Sequence, residues 1–288
     1  MKKTILIAIL IAPLMVVTTR AANPAYDNAS AYAYNAPAPE WVTGDNGGFG
    51  WGAWTLTPFG NAGYFVWDST KNGNGLDDGI IGGVANDSDI NTTIGPVPDQ
   101  SGAPDPQFTD PRSWGMWANG GGSADAYRSF TGGALSIGQT FSMEFDNGYI
   151  DTGGTVGLGL QNAAGVSLWE VYFIGNNPNY FNRDAAGQVA TTVPFGDEGL
   201  HVDFTLTGLA AYTMTLTRRD GNTQTINGAL IGDPDQNIAQ VHAFNFNAGS
   251  GDDHNAYFNS MGVTPEPGTA TLFGLALLGM IGWLRRRR

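Results

Sequence analysis

The sequence predicts an all-β protein, an antiparallel two-sheet sandwich of jelly-roll type flanked by an N-terminal signal helix and a C-terminal transmembrane helix. Three observations carry the β body. Gly (42), Phe (15), Tyr (10) and Trp (8) are abundant while charged residues make up only 14%, the composition of short strands joined by tight turns. Apolar and polar residues alternate at period two, Phe141, Met143 and Phe145 against Ser142, Glu144 and Asp146, and Val202, Phe204 and Leu206 against Asp203, Thr205 and Thr207. That period marks a strand with one buried face. Between the two ends no stretch has the helical period.

Four segments follow from the pattern: a signal peptide over 1–22, a flexible lead-in over 23–40, the sandwich over 41–263 and a sorting and anchor segment over 264–288. Lys2 and Lys3, the apolar run from Ile5 to Val17 and the small residues Ala21 and Ala22 have the order of a secretory signal. An uncleaved anchor is the alternative, but the run is short for one. The lead-in is rich in Ala, Tyr, Asn and Pro, a biased composition.

Within the body, strand-like runs begin at 52–57 and 63–67. A Gly-, Asn-, Asp- and Pro-rich excursion covers 68–111; a long loop of that kind inside a compact domain is usually functional or mobile. Further strands are expected at 113–118, 124–131, 139–147, 154–161, 166–174, 200–208, 211–218, 223–230, 240–247 and 256–263. Arg219-Asp220-Gly221-Asn222 is a hairpin turn, since Asp-Gly accepts positive φ. Ala163-Ala164-Gly165 and Ala185-Ala186-Gly187 mark two more turns.

Charge and cysteine content exclude several functions. The body keeps six basic residues against 25 acidic ones, a formal −19, which repels nucleic acid and anionic lipid. It suits divalent cations, neutral glycans or plain solubility. With no cysteine, thiol catalysis, thiolate metal sites and disulfides are absent.

At the C-terminal end, Pro265, Glu266 and Pro267 hold an extended backbone. An apolar stretch follows, with Leu272, Phe273, Leu275, Leu277, Leu278 and Ile281, then Trp283 and the cluster Arg285, Arg286, Arg287 and Arg288. The arginines favour the cytoplasmic side and Trp283 suits a membrane interface, so the body faces outward. This three-part pattern resembles the PEP-CTERM sorting signal. The resemblance implies export in a Gram-negative, exopolysaccharide-making bacterium, transient residence in the inner membrane, and processing by an exosortase, a membrane-embedded cysteine protease. A plain C-terminal anchor with a proline-rich stalk is the alternative. The last strands, 244–247 and 256–263, resemble the closing strands of concanavalin-like sandwiches.

Chemistry in the body is sparse. Glu144 and Asp146 share a strand face, as in sandwich glycosidases, but the further acid of that pattern is missing, so a solvent-facing strand is the simpler reading. The histidines, His201, His242 and His254, show no metal spacing. No cofactor is required; a structural Ca²⁺ is the one candidate, on Asp68, Asn72, Asn74, Asp77 and Asp78, with Asp252-Asp253 beside Asn255 as a second cluster. Trp114, Trp117 and Trp169 are candidates for stacking on a glycan, with Trp114 and Trp117 on opposite strand faces. The expected function is that of a non-enzymatic surface or matrix protein associated with extracellular polysaccharide. The alternatives are a carbohydrate-binding module, then a glycoside hydrolase or lyase. Nucleic acid is not an expected partner.

Overall fold

A computed structural model describes residues 24–32, 41–68, 112–196, 199–218, 221–232 and 237–264. The strands are β1 (Ala25–Asp27), β2 (Thr55–Asp68), β3 (Arg112–Ser129), β4 (Thr140–Asn147), β5 (Thr155–Gln161), β6 (Ser167–Ile174), β7 (Asn179–Asp184), β8 (Gly187–Pro194), β9 (Leu200–Leu206), β10 (Ala211–Arg218), β11 (Thr223–Ala229), β12 (Gln240–Phe246) and β13 (Ala256–Thr264). They hydrogen-bond in the order β11-β10-β9-β4-β13-β3-β12-β5-β6-β7-β8, with β1 added to β13 and β2 to β3. Every described pairing is antiparallel. The signal helix and the transmembrane helix lie outside the described residues, among which no helix is long and apolar enough to cross a membrane.

The expected sandwich is present, and its two layers are halves of one hydrogen-bonded path. The first half of β3 pairs with β13 (Trp114↔Phe258 to Met116↔Ala256) and the second with β12 (Ser123↔Phe246 to Ser129↔Gln240). β2 follows β3 through both halves. The ribbon doubles back between them: Tyr64 is registered against Met116, yet its hydroxyl donates to the carbonyl of Asp125 at 2.9 Å and accepts from the Asp125 N–H at 2.8 Å. Gly60, Gly120 and Gly121 at the corner all have positive φ, which a side chain rarely tolerates. The Asn61 and Asn119 side chains hydrogen-bond across it. The separate strands expected at 52–57 and 63–67, and at 113–118 and 124–131, are therefore merged into β2 and β3. The glycines that read as breaks between strands are a fold in one ribbon.

Alternate residues of most strands enter the core between the layers, while β11 has no buried residue. Phe145 stacks on Phe258 at 5.2 Å, and Trp169 meets Phe204 at 4.8 Å across the gap. A buried polar relay also ties the layers: Trp169 Nε1 donates to Asn182 Oδ1, Asn182 Nδ2 to the Tyr212 hydroxyl, and that hydroxyl to Asp184 Oδ2 at 2.7 Å. Burial first, then the Asp184 carboxylate, raise the Tyr212 phenol above its ordinary range, so it stays a donor.

β7 and β8 have no counterpart in the sequence-based strand assignment, although the turn expected at Ala185-Ala186-Gly187 closes their hairpin, with Gly187 at φ 95°. Their Asn-, Thr- and Gln-rich segments lack a clear alternation. β10 and β11 pair up to Thr217↔Thr223, with Gly221 at φ 89°; Arg219 and Asp220 of the expected turn lie outside the described residues.

The expected flexible lead-in over 23–40 is corrected at 24–32. β1 pairs with β13, Ala25↔Val263 to Asp27↔Met261, and Asn28 caps a 3-10 turn at Ala29–Ala31. The cause is a buried charge. Arg128 is 1% exposed and forms an ion pair with Asp27. Its remaining N–H groups go to the Tyr32 hydroxyl (3.0 Å), the Gly52 carbonyl (2.7 Å), Asn46 Oδ1 (3.0 Å) and the Gly47 carbonyl (2.7 Å). Its guanidinium also lies 5.1 Å from the ring centre of Trp54 and 5.9 Å from that of Trp51. Burial raises the Asp27 carboxyl and the Arg128 charge opposes it. Removing one partner of such a pair leaves the other charge desolvated, so Asp27→Ala is expected to cost about 3–5 kcal/mol, read as a lower urea midpoint with an unchanged slope.

Candidate functional site

The outward face of the second layer carries a groove of about 490 Å³, within the usual range of ligand sites. Register places its residues in rows across the strands. One row runs Asp125, Phe244, Gly157, Tyr172, Phe181, from β3 through β12, β5 and β6 to β7. The next runs Tyr127, His242, Gly159, Glu170, Arg183, Gln188 and ends on β8. β5 lies at the middle of both rows and contributes glycine to each. A Cβ at Gly159 would come within 2.8 Å of Glu170 Cγ, and one at Gly157 would collide with Tyr172. The Gly-x-Gly of β5 thus lets Tyr172 and Glu170 lie close over it, and the groove is lined by Phe244 and Tyr172, their rings 6.2 Å apart.

The polar groups of the groove are held in pairs. His242 Nε2 is 2.8 Å from Asp125 Oδ1, and the ring stacks on Tyr127 at 4.5 Å. Gln161 Nε2 donates to His242 Nδ1 at 3.2 Å, which places the ring proton on Nε2, toward Asp125. Arg183 Nη1 donates to Glu170 Oε2 at 2.8 Å, and the Tyr172 hydroxyl to Gln188 Oε1 at 2.9 Å. Burial, then the neighbouring Glu170 charge, raise the Tyr172 phenol. Fixed donors and acceptors beside aromatic rings can hold a polyhydroxylated ligand; a group free to abstract a proton is not displayed by these pairs.

The tryptophans expected to stack on glycan are elsewhere. Trp114 and Trp169 are wholly buried in the core, Trp114 packed edge-on to Trp54 and Tyr32. Trp117 is half-buried on the opposite face of β3, its ring above Gly63. Of the expected Ca²⁺ ligands, Asp68 closes β2, while Asn72, Asn74, Asp77 and Asp78 lie outside the described residues, as do the tail residues from Pro265 to Arg288. Among the described residues no group of three or more His, Asp or Glu side chains could hold a metal ion. At the second cluster, Asp253 Oδ1 is occupied by His254 Nδ1 at 2.8 Å and Asn255 donates to the Tyr257 hydroxyl.

Glu144 and Asp146 do share a face, but it is buried rather than solvent-facing, at 0% and 1% exposure. Glu144 Oε1 meets His201 Nδ1 at 2.6 Å, and Asp203 Oδ1 meets Nε2 at 3.1 Å. Each of the three histidines faces a carboxylate. The groove residues recur two apart on adjacent strands, and Gly-x-Gly inside a strand marks a close approach; those were the sequence signals available for the site.

Residues 263–288 match the PEP-CTERM protein-sorting motif. The tail is therefore a C-terminal sorting signal by sequence as well as by pattern. No curated protein matches the chain. Solved structures with a similar layout include galectin LEC-6 of Caenorhabditis elegans (10% identity, 46% of this chain and 86% of that one, TM-score 0.33). A legume lectin-like domain of Entamoeba histolytica is another (13% identity, 54% and 84%, TM-score 0.38). A sialidase is similar over 54% of this chain and 15% of its own (9% identity, TM-score 0.41).

The His201 cluster gives a pH expectation. Burial opposes charge on the ring, but the carboxylates of Glu144 and Asp203 outweigh it and hold His201 well above its ordinary range. Burial raises Glu144, with His201 opposing. A raised pKa contributes stability that is complete below the unfolded value, about 6.5 for His, and lost as pH rises through the folded one. The two groups act in the same direction. The unfolding temperature is thus expected to fall as pH rises above neutral, and the Glu144→Gln/His201→Gln double variant to flatten that slope in a thermal scan.

Proposed function

We propose that this is an exported surface protein, delivered by its PEP-CTERM tail, whose sandwich binds carbohydrate in the groove on the second layer without cleaving it. The carrying observation is the groove lined by the rings of Phe244 and Tyr172, with the Asp125–His242 pair and Glu170, held by Arg183, beside them. Sugar faces stack on such rings, and fixed polar pairs take hydroxyls. Binding rather than cleavage is favoured because the groove's carboxylates are tied to cations or imidazole and its tyrosine is raised, not lowered. Extracellular polysaccharide is the proposed ligand, and a membrane-embedded exosortase the proposed partner of the tail.

Two measurements test this. Calorimetric titration with exopolysaccharide from the exporting bacterium should show binding. Phe244→Ala and Tyr172→Ala should each weaken it about tenfold, the loss of roughly 1.4 kcal/mol expected of a stacking ring, with the fold retained by circular dichroism. Absence of binding to that material and to neutral glucans alike would remove the carbohydrate reading. Separately, the mass of the protein recovered from cells should end between Pro265 and Gly268; a mass retaining Arg285 to Arg288 would make the tail a permanent anchor.

A further inference from the structure

The hydrogen-bonding groups of the groove are unevenly matched. Both ring nitrogens of His242 are engaged, Nε2 with Asp125 Oδ1 and Nδ1 with the Gln161 amide. The Tyr172 hydroxyl gives its proton to Gln188 Oε1. Among the side-chain nitrogen donors of the lining, that leaves the Gln188 amide alone. Acceptors are more plentiful, and two of them are charged. Asp125 holds the imidazole through Oδ1 and Glu170 holds Arg183 through Oε2, so each carboxylate keeps a second oxygen for a ligand. Both side chains are partly open to solvent, at 24% and 13%. With its ring proton on Nε2 and Nδ1 accepting, the imidazole is a neutral donor, so the Asp125 charge is not cancelled. Among the described residues no lysine or arginine lines the groove. Arg183 is the one such residue in its two rows; it reaches Glu170 from β7. Arg128 and Arg218 are engaged elsewhere, with Asp27 and with the Pro194 carbonyl.

Spare charged acceptors, few donors and two aromatic rings are complementary to a ligand that brings positively charged donors. We propose that the groove recognises an amino-sugar polymer, a polysaccharide whose protonated amines meet Asp125 and Glu170 while its ring faces lie on Phe244 and Tyr172. This rests on the carbohydrate reading of the groove and narrows it to one class of sugar. An ammonium N–H donating to a carboxylate oxygen makes a charge-assisted bond, about twice as strong as a neutral one. An ammonium over an aromatic face is attracted further. The strands that carry the two acids, β3 and β6, are separated by β12 and β5, which puts them roughly 14 Å apart at about 4.8 Å per strand. One amine cannot bridge that distance, whereas amines on different residues of a chain can occupy both positions. A uronic-acid polymer is disfavoured on the same grounds. Its carboxylates would approach Asp125 and Glu170 with no cation in the lining, on a body of formal charge −19, and like charges brought together oppose binding.

The test titrates the full-length chain calorimetrically, in a sugar-free non-ionic detergent and at mildly acidic pH. The probes are glucosamine hexamer, cellohexaose, galacturonic acid hexamer and hexalysine. The glucosamine hexamer is expected to bind about tenfold more tightly than cellohexaose and the uronate most weakly, with the preference shrinking as salt is added. Asp125→Asn and Glu170→Gln preserve shape and are each expected to cut the preference several-fold while leaving cellohexaose unchanged. Asp203→Asn, on the other layer, is expected to leave it intact. Equal affinity for the glucosamine and glucose hexamers, or tightest binding of the uronate, would overturn the amine inference and leave the carbohydrate reading standing. So would a preference that Asp203→Asn lowers as much as the groove variants do, since it would then belong to the charge of the whole body. Binding of hexalysine alone, or of none of the probes, would overturn both.

Discussion

The buried Arg128–Asp27 pair is the interaction on which the rest of the structure depends. An arginine inside a β-sandwich is tolerable only if its whole fork is satisfied. The acceptors come from three separate places: β1 and its following turn, the 46–47 turn, and the segment leading into β2. Satisfying Arg128 therefore draws the N-terminal segment onto β13 and positions the indoles of Trp51 and Trp54 over the guanidinium. Both rings are buried.

That clasp and the corner in the β2–β3 ribbon are linked. β3 carries Arg128 in its second half and pairs with β13 in its first half, and β1 pairs with β13. The pair thus joins one layer to the far end of a strand that serves both. The glycines at the corner provide the bend, and the Tyr64–Asp125 hydrogen bonds hold it closed. One consequence reaches the surface. Because the layers continue into each other through β3, β12 lies beside β3 in the second layer, and His242 comes within reach of Asp125.

The acidic character of the chain is distributed with purpose. Carboxylates that enter the fold have partners, Asp27 on Arg128, Glu144 on His201, Asp184 on Tyr212. In the groove, Glu170 is paired with Arg183 and Asp125 accepts from the His242 ring.

The sequence by itself determined the class of fold, most strand positions, the turn at 185–187, the sorting motif of the tail and the absence of thiol chemistry. These rest on local rules: period two, glycine at positive φ, a proline-flanked motif before an apolar run and arginines. The tertiary structure alone decided the site. Trp114 and Trp169 read as ligand platforms by residue type, but register sends them into the core, while Phe244 meets Tyr172 and Gly157 only because β12, distant in sequence, lies beside the β5–β6 hairpin. It also decided that residues 24–32 of the lead-in are structural, since Asp27 is an ordinary acidic residue until Arg128, a hundred positions away, requires it. Period two says that a residue faces one side of a strand; which side is covered, and by what, depends on long-range pairing.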